Sequence, residues 1–111
     1  MSYEELAQMI EQIGLPFAYY QFPEGTSKAP PFICFYYPAS ADEIADSINY
    51  VKITEMVIEL YTAEKSFELE KRVESVLREH DHVYTRTETW IDDERMYLET
   101  YNLEVIINEC E

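Results

Sequence analysis

The stretch from Tyr50 to Leu77 changes from a strand-like to a helix-like pattern of apolar residues within a few positions. Between residues 55 and 60, apolar side chains mostly alternate with acidic ones, which is the two-residue period of a strand. After Thr62, which has a side chain typical of a helix N-cap, apolar residues recur at helical spacing at Leu69, Val73, Val76 and Leu77. We therefore predict a strand over about residues 48–61 that leads directly into an amphipathic helix over about residues 63–79.

A first helix is predicted over about residues 3–13. Ser2 and Glu5 have the spacing of a capping box, and the apolar residues Leu6, Met9, Ile10 and Ile13 follow on one face. Gly14 suits the left-handed position beyond a helix end, and Pro16 cannot continue a helix. Both ends of this helix are therefore marked in the sequence.

Two short aromatic strands are predicted next, over residues 17–22 and 32–37. The irregular loop between them, residues 24–31, is interpreted in two ways: as an ordinary hairpin connection, or as an arm that reaches a neighbouring molecule. Residues 39–47 are small and acidic, which indicates an exposed connection with one helical turn around residues 43–45. The runs at 83–91 and 96–107 alternate regularly around a polar turn, which predicts a long hairpin.

These elements predict an α+β fold with the order α-β-β-β-α-β-β and a single domain over residues 1–111. A mostly antiparallel sheet with two helices packed on one face would bury the apolar stripes of both helices. The core should combine these stripes with two strand rows: Met56, Ile58 and Leu60, and Tyr101, Leu103, Val105 and Ile107.

The chain is strongly acidic, with 23 Asp and Glu residues against 8 Lys and Arg residues and a formal net charge of −15. Direct nucleic-acid binding is not expected, because phosphate contacts need clustered Lys and Arg. The acidity is compatible with a solvated surface, with repulsion of DNA or anionic membranes, with DNA mimicry, or with a basic partner. No apolar run of membrane-spanning length and no secretion signal is apparent, so a cytosolic protein without a membrane anchor is expected.

No catalytic set emerges from the sequence, so we predict a protein that is not an enzyme and has no catalytic residues and no cofactor. Two glycines provide no phosphate-binding loop, and the abundant carboxylates pair by chance in so acidic a chain. His80 and His82 flank Asp81 at a helix end, but two ligands in a loop make a weak metal pattern, and no metal site is predicted. Cys34 and Cys110 are interpreted as a buried and an exposed thiol, not as a disulfide or metal pair.

Ten Tyr, five Phe and one Trp make the aromatic content the better indication of function. Tyr and Trp combine a large apolar area with a polar tip, which suits contact surfaces, although the same residues also cover thin sheets. Phe67 lies off the apolar stripe of its helix, so it either closes the sheet edge or meets another subunit. The candidate interface residues are Tyr19, Tyr37, Tyr61, Phe67, Tyr84 and Trp90.

Three segments resemble a family of small acidic proteins from siphophages and prophages: GLPFAYYQFPEG at 14–25, PPFICFYYP at 30–38, and IELYTAEKSFELEKRVESVL at 58–77. The family comprises tail terminator proteins, also described as tail-completion, head-tail joining or minor tail proteins. The resemblance implies a structural protein that forms a ring, a hexamer on the tail, at the head-proximal end of the tail tube. The implied partners are further copies of itself, the tail tube protein and a head-completion protein. The implied location is the host cytoplasm during assembly and then the virion tail.

Two other function classes remain open. An acidic DNA-mimic inhibitor of a basic host nuclease would present carboxylates spaced like phosphates on one continuous surface. A small ligand-binding regulatory module would need an apolar pocket with converging polar groups.

Overall fold

The computed structural model describes residues 1–22, 29–44 and 50–107. Within these residues, two helices and six strands follow one another: α1 (Tyr3–Glu11), β1 (Phe17–Tyr19), β2 (Phe32–Tyr36), β3 (Ser40–Ile44), β4 (Tyr50–Thr62), α2 (Phe67–Glu79), β5 (Tyr84–Ile91) and β6 (Met96–Ile107). The predicted α+β class, with two helices on a mostly antiparallel sheet, is confirmed.

All six strands belong to one sheet, in which β1, β2, β4, β6 and β5 lie side by side in that order. β3 pairs with β4 beyond the end of β2, so β4 has two different neighbours along one edge. Every strand pair is antiparallel except β1 with β2. β5 forms one outer edge of the sheet, and β1 and β3 lie at the other.

The two helices share one core on a single face of the sheet. Met56 pairs with Leu103 and Ile58 with Tyr101, which places the two predicted strand rows side by side. The helix residues that complete the core are Leu6, Met9, Ile10, Val73, Val76 and Leu77. The predicted core is confirmed. Side chains two positions apart on a strand point to the same face of the sheet, so both strand rows lie on the face that the helices cover.

The helix boundaries follow local hydrogen bonding. The Ser2 hydroxyl accepts from the Glu5 amide, and the Glu5 carboxylate accepts from the Ser2 amide, so the predicted capping box is confirmed. Gly14 has φ = +84°, as predicted for the residue beyond the helix. The prediction of Thr62 as N-cap of the second helix is wrong: Thr62 ends β4, and Ser66 caps α2 through a hydrogen bond from the Leu69 amide.

The segment before β4 differs from its prediction. Residues 40–44, predicted as an exposed connection with a helical turn, form β3 and pair with β4 from Tyr50 to Thr54. The hairpin interpretation of residues 24–31 is also wrong, because β1 and β2 are parallel and cannot be joined by a tight turn. Most of that loop, residues 23–28, lies outside the described residues, so the arm interpretation stays a prediction. Cys110 also lies outside them, whereas Cys34 is buried as predicted.

Candidate assembly surface

An ionic network joins the start of α2 to the two C-terminal strands. The Lys65 ammonium donates to the Glu70 carboxylate at 2.6 Å and to Glu88, and it lies 3.7 Å from Glu99 Oε2. The Arg86 guanidinium donates to Glu99 and lies 3.8 Å from a Glu70 oxygen. The side chains of Glu70 and Glu99 are only 8% and 1% exposed. Buried carboxylates such as those of Glu70 and Glu99 need oppositely charged partners. The first role of the network is therefore to stabilise the fold.

The pKa values within this network move apart. Burial raises the pKa of Glu99, and its contact with the Glu88 carboxyl raises it further. The hydrogen bond from Lys65 lowers the pKa of Glu88. Desolvation opposes the charge of Lys65, but hydrogen bonds to Glu70 and Glu88 raise its pKa overall. The ammonium is therefore held protonated between the carboxylates.

Three carboxylates of the network could in principle hold a metal ion. Glu70, Glu88 and Glu99 each provide an oxygen within 4.8 Å of the other two, and hard cations prefer such ligands. The Lys65 ammonium, however, lies within 3.7 Å of an oxygen of all three. It occupies the position that a cation would take, so we assign these residues no metal-binding role.

The two histidines lie at the end of α2. His80 is the C-cap residue, and its Nε2 shares a hydrogen bond of 3.0 Å with the Gln12 side-chain oxygen. The His82 ring lies nearly parallel to it with ring centres 6.5 Å apart, and His82 Nε2 is buried without a hydrogen-bond partner among the described residues. Desolvation, and then the nearby His80, lower the pKa of His82. The absence of metal binding at this pair stays a prediction.

A cleft of about 720 Å³ opens between α1 and the segment that joins β2 to β3. Its walls are mainly aromatic or small: Tyr3, Ala7, Tyr19, Phe35, Tyr37, Pro38, Ala39, Ser40 and Thr54. The Tyr37 ring contacts those of Tyr3 and Tyr19 at centroid distances of 5.0 and 5.7 Å. We call this feature the aromatic cleft.

Two residues that line the aromatic cleft have buried hydroxyl oxygens, Tyr37 Oη and Thr54 Oγ1, that make no hydrogen bond within the described part of the chain. Burial raises the pKa of Tyr37 to about 12, so its hydroxyl stays protonated and can act as a donor. A buried hydroxyl without a partner costs free energy, about 1–3 kcal/mol in mutational data. The two oxygens have almost no accessible surface, so what the cleft offers to a partner is the aromatic and small side chains of its walls.

The predicted interface residues lie in four different places. Tyr19, 52% exposed, and Tyr37 line the aromatic cleft. Tyr61 stacks on Phe32 on the face of the sheet away from the helices, and its hydroxyl donates to Glu59 at 3.0 Å. Tyr84 is partly buried against Tyr101, with ring centres 5.5 Å apart.

The other two candidates, Phe67 and Trp90, lie toward the β5 edge. Phe67 is the first residue of α2 and is 67% exposed, with the Lys65 ammonium 4.7 Å from its ring centre. Trp90 is 41% exposed, packs against Tyr97, and lies on the same face of β5 as Glu88, the acceptor of Lys65. The Lys65 ammonium thus lies beside the Phe67 ring and also donates to Glu88, which shares a face of β5 with Trp90.

Other exposed apolar residues were not predicted. Tyr3 and Tyr20 are 39% and 62% exposed, and Val83 and Ile106 are 88% and 53% exposed. Tyr3 is the first residue of α1, and its contact with Tyr37 depends on how α1 lies over the sheet. No described helix has the length and apolarity needed to cross a membrane.

Comparison with known proteins gives a likeness in structure but none in sequence. No family model matches the chain, and no curated protein matches it in sequence. Among solved structures, the chain resembles a protein chain in a structure described as the virion of a native gene transfer agent (GTA) particle. The two are 14% identical, with a TM-score of 0.62, and the match covers 93% of this chain and 86% of the other. At that identity, the likeness establishes a shared fold.

Proposed function

We propose that this protein is a non-enzymatic structural component of a phage or prophage particle, and specifically a tail terminator or tail-completion protein. The observation that carries the proposal is the shared fold with a chain of a gene transfer agent virion, which extends over nearly the whole length of both chains. The three sequence segments that resemble tail terminators support the proposal without depending on that likeness. Together they favour a virion protein over the other function classes.

The geometry supports assembly through unlike surfaces. The sheet ends in β5 at one edge and in β1 and β3 at the other, and open edges of this kind are available to neighbouring molecules. Exposed aromatic residues lie near both edges. Contacts between two different surfaces of identical copies produce a closed ring when the rotation between copies closes.

In this function the protein forms a ring, a hexamer on the tail, at the head-proximal end of the tube. Its partners are further copies, the tail tube protein and a head-completion protein, and it moves from the host cytoplasm into the virion tail. The net charge of −15 suits a ring through which DNA passes, because like charges repel and DNA would not adhere to the wall.

Deletion of the gene from its phage or prophage tests the function. We expect filled heads without attached tails and tails of uncontrolled length, seen by electron microscopy. Purified protein added to growing tubes should stop their extension, whereas the core variant Met56→Asp should not. Normal tails in the deletion strain, combined with new sensitivity of the phage to host restriction, would instead support the DNA-mimic function.

The aromatic cleft favours a second candidate, the ligand-binding module. Its volume of about 720 Å³ lies in the range of small-molecule sites, about 300–1,000 Å³, and its walls are mainly aromatic or small side chains. Thermal unfolding with neutral aromatic probes such as indole or phenol tests this function. Saturable stabilisation that Ala39→Trp removes, together with normal tails in the deletion strain, would support it over the terminator.

A further inference from the structure

We propose that Glu88 and Glu99 hold one proton between them in mildly acidic solution, and that this proton makes the contact between α2 and the two C-terminal strands sensitive to pH. We call these two side chains the carboxyl pair. Both belong to the ionic network described above, and the proton is a further component of that network. The pair would hold it whether or not the protein assembles on a tail.

The carboxyl pair is formed by the register of the sheet. Glu88 on β5 and Glu99 on β6 are direct cross-strand partners, and like charges at opposed positions repel each other. The sheet has a second pair of this kind, Glu55 on β4 with Glu104 on β6, but both of those residues are exposed, so water screens their charges. The Glu99 side chain is only 1% exposed. Its repulsion from Glu88 must therefore be relieved within the protein.

The charges of the network do not balance unless a proton is added. Three carboxylates, those of Glu70, Glu88 and Glu99, share two cations, Lys65 and Arg86. If all five groups were ionised, one negative charge would be left over beside two buried carboxylates, and a buried charge without compensation is costly. One proton on the carboxyl pair makes the five groups neutral together.

The two oxygens of Glu99 differ in their partners. Oε1 accepts a hydrogen bond from the Arg86 guanidinium, whereas Oε2 is buried and has no hydrogen-bond partner in the described part of the chain. The Lys65 ammonium, at 3.7 Å from Oε2, is too far away to donate. A protonated Glu99 carboxyl gains a hydrogen to donate, and the Glu88 carboxyl lies in hydrogen-bonding contact with it. The proton thus replaces a repulsion with a hydrogen bond.

The groups around Glu99 place the proton mainly on that residue. Its β4 partner, Leu60, is apolar, and Tyr101, two residues along β6, donates its hydroxyl to Glu74. The charged groups that face Glu99 are Lys65 from the turn before α2, Glu70 from α2, and Arg86 and Glu88 from β5. Burial raises the pKa of Glu99, and the contact with Glu88 raises it further. The hydrogen bond from Lys65 lowers the pKa of Glu88, which therefore remains the acceptor.

The direction of the pH dependence follows from this assignment. The folded chain binds the proton of Glu99 more tightly than the unfolded chain does. The resulting stabilisation is complete below the unfolded value of about 4.3 and is lost as pH rises through the higher folded value. Glu88, with its lowered pKa, changes charge on the acid side of that window. Loss of the proton leaves an excess negative charge where α2 meets β5 and β6, so this contact weakens as pH rises.

Carbon-13 NMR of the side-chain carboxyl carbons tests the shared proton in the wild-type protein. Glu99, assigned by loss of its signal in Glu99→Gln, should titrate at least about one pH unit above the exposed glutamates, and Glu88 below them. Glu88→Gln removes the like charge and should lower the midpoint of Glu99, whereas the control Glu55→Gln should leave it unchanged. A Glu99 carboxyl that is fully ionised at pH 5 would overturn the proposal.

Urea unfolding between pH 5 and pH 8 tests the effect of the proton on stability. Glu99→Gln carries no charge at any pH, so the stability of the wild type relative to this variant should fall steadily as pH rises. Both proteins contain His82, so its contribution cancels in the comparison. The control Glu104→Gln should differ from the wild type by the same amount at pH 5 and pH 8. A difference between the wild type and Glu99→Gln that does not change with pH would refute the proposal. If Glu99→Gln does not fold, the NMR titration of the wild type decides alone, with the Glu99 signal then assigned through its backbone.

Discussion

The Arg72 guanidinium, on α2, donates a hydrogen bond to the main-chain carbonyl of Ile13, just beyond the end of α1. α1 has no basic residue in its last turn, so Arg72 provides from another helix the positive charge that a helix C-terminus favours. The next residue, Gly14, has φ = +84°, and a Cβ atom there would lie 2.7 Å from Arg72 Nη2. The end of α1 and the contact between α1 and α2 therefore depend on the same two residues, Arg72 and Gly14.

Gly14→Ala should destabilise the protein by about 1–2 kcal/mol, because an L-residue is strained in the left-handed region. The contact with Arg72 adds to this cost unless the flexible guanidinium moves away. Urea unfolding of Gly14→Ala, Arg72→Met and the double variant separates the two effects. If backbone strain dominates, Gly14→Ala should cost nearly as much in the Arg72→Met background as in the wild type. Unchanged stability of Gly14→Ala would contradict the left-handed assignment.

Met56→Asp should unfold the protein. Met56 is fully buried, and an unpaired buried carboxylate costs several kcal/mol against a total stability of about 5–15 kcal/mol. Ile106→Asp is the matched control on the outer face, where the side chain is 53% exposed and the change should cost little. Circular dichroism melting compares the two, and a normal transition for Met56→Asp would refute the core assignment.

Lys65→Met should lower the free energy of unfolding by about 1–3 kcal/mol at neutral pH, because the buried Glu70 and Glu99 lose a charged partner. The loss should shrink in acid, where protonated carboxyls no longer need the ammonium. Lys71→Met removes an exposed lysine from α2 and serves as control. Denaturant titrations at neutral and acidic pH provide the comparison, and an equal effect of both variants would argue against the network.

His82 should make the protein less stable in mild acid. Its pKa is lowered in the folded state, so the unfolded chain binds the proton more readily. The stabilisation is complete above the unfolded value of about 6.5 and is lost as pH falls through the lower folded value. His82→Asn should flatten the stability profile between pH 7 and pH 5, read from melting temperatures. His80→Asn should flatten it only partly, since His80 is a secondary cause of the shift. If the melting temperature of His82→Asn depends on pH as that of the wild type does, His82 is not the cause of the loss of stability in acid.

Strands and helices could be predicted from the sequence where their own apolar residues recur at a two-residue or a helical period. The hairpin of β5 and β6 was predicted because Tyr84–Ile91 and Met96–Ile107 carry period-two patterns around a polar turn. β3 was missed because Ser40–Ile44 is short and acidic, and its strand character comes from pairing with β4. The parallel pairing of β1 with β2 was missed for a similar reason, since side-chain alternation does not encode strand direction.

The candidate surfaces were predictable only in part. Phe67 was singled out because it departs from the apolar stripe of its helix, and it is exposed as that position suggests. The ionic network was not predicted, because Lys65, Glu70 and Glu99 come from a turn, a helix and a distant strand. The aromatic cleft depends on how α1 lies across the β2–β3 segment, and that arrangement results from packing rather than from any local pattern.

The position of β6 in the sheet also governs when the protein can fold during its synthesis. β6 is the last described element along the chain, yet it pairs with β4 on one side and with β5 on the other. A nascent chain that ends before residue 96 leaves the apolar faces of β4 and α2 without Tyr101, Leu103 and Val105 to cover them. Folding must therefore wait until β6 is made, and closing these long-range contacts is expected to be slow. Until then, the exposed edge of β4 is the part of the molecule most prone to aggregate.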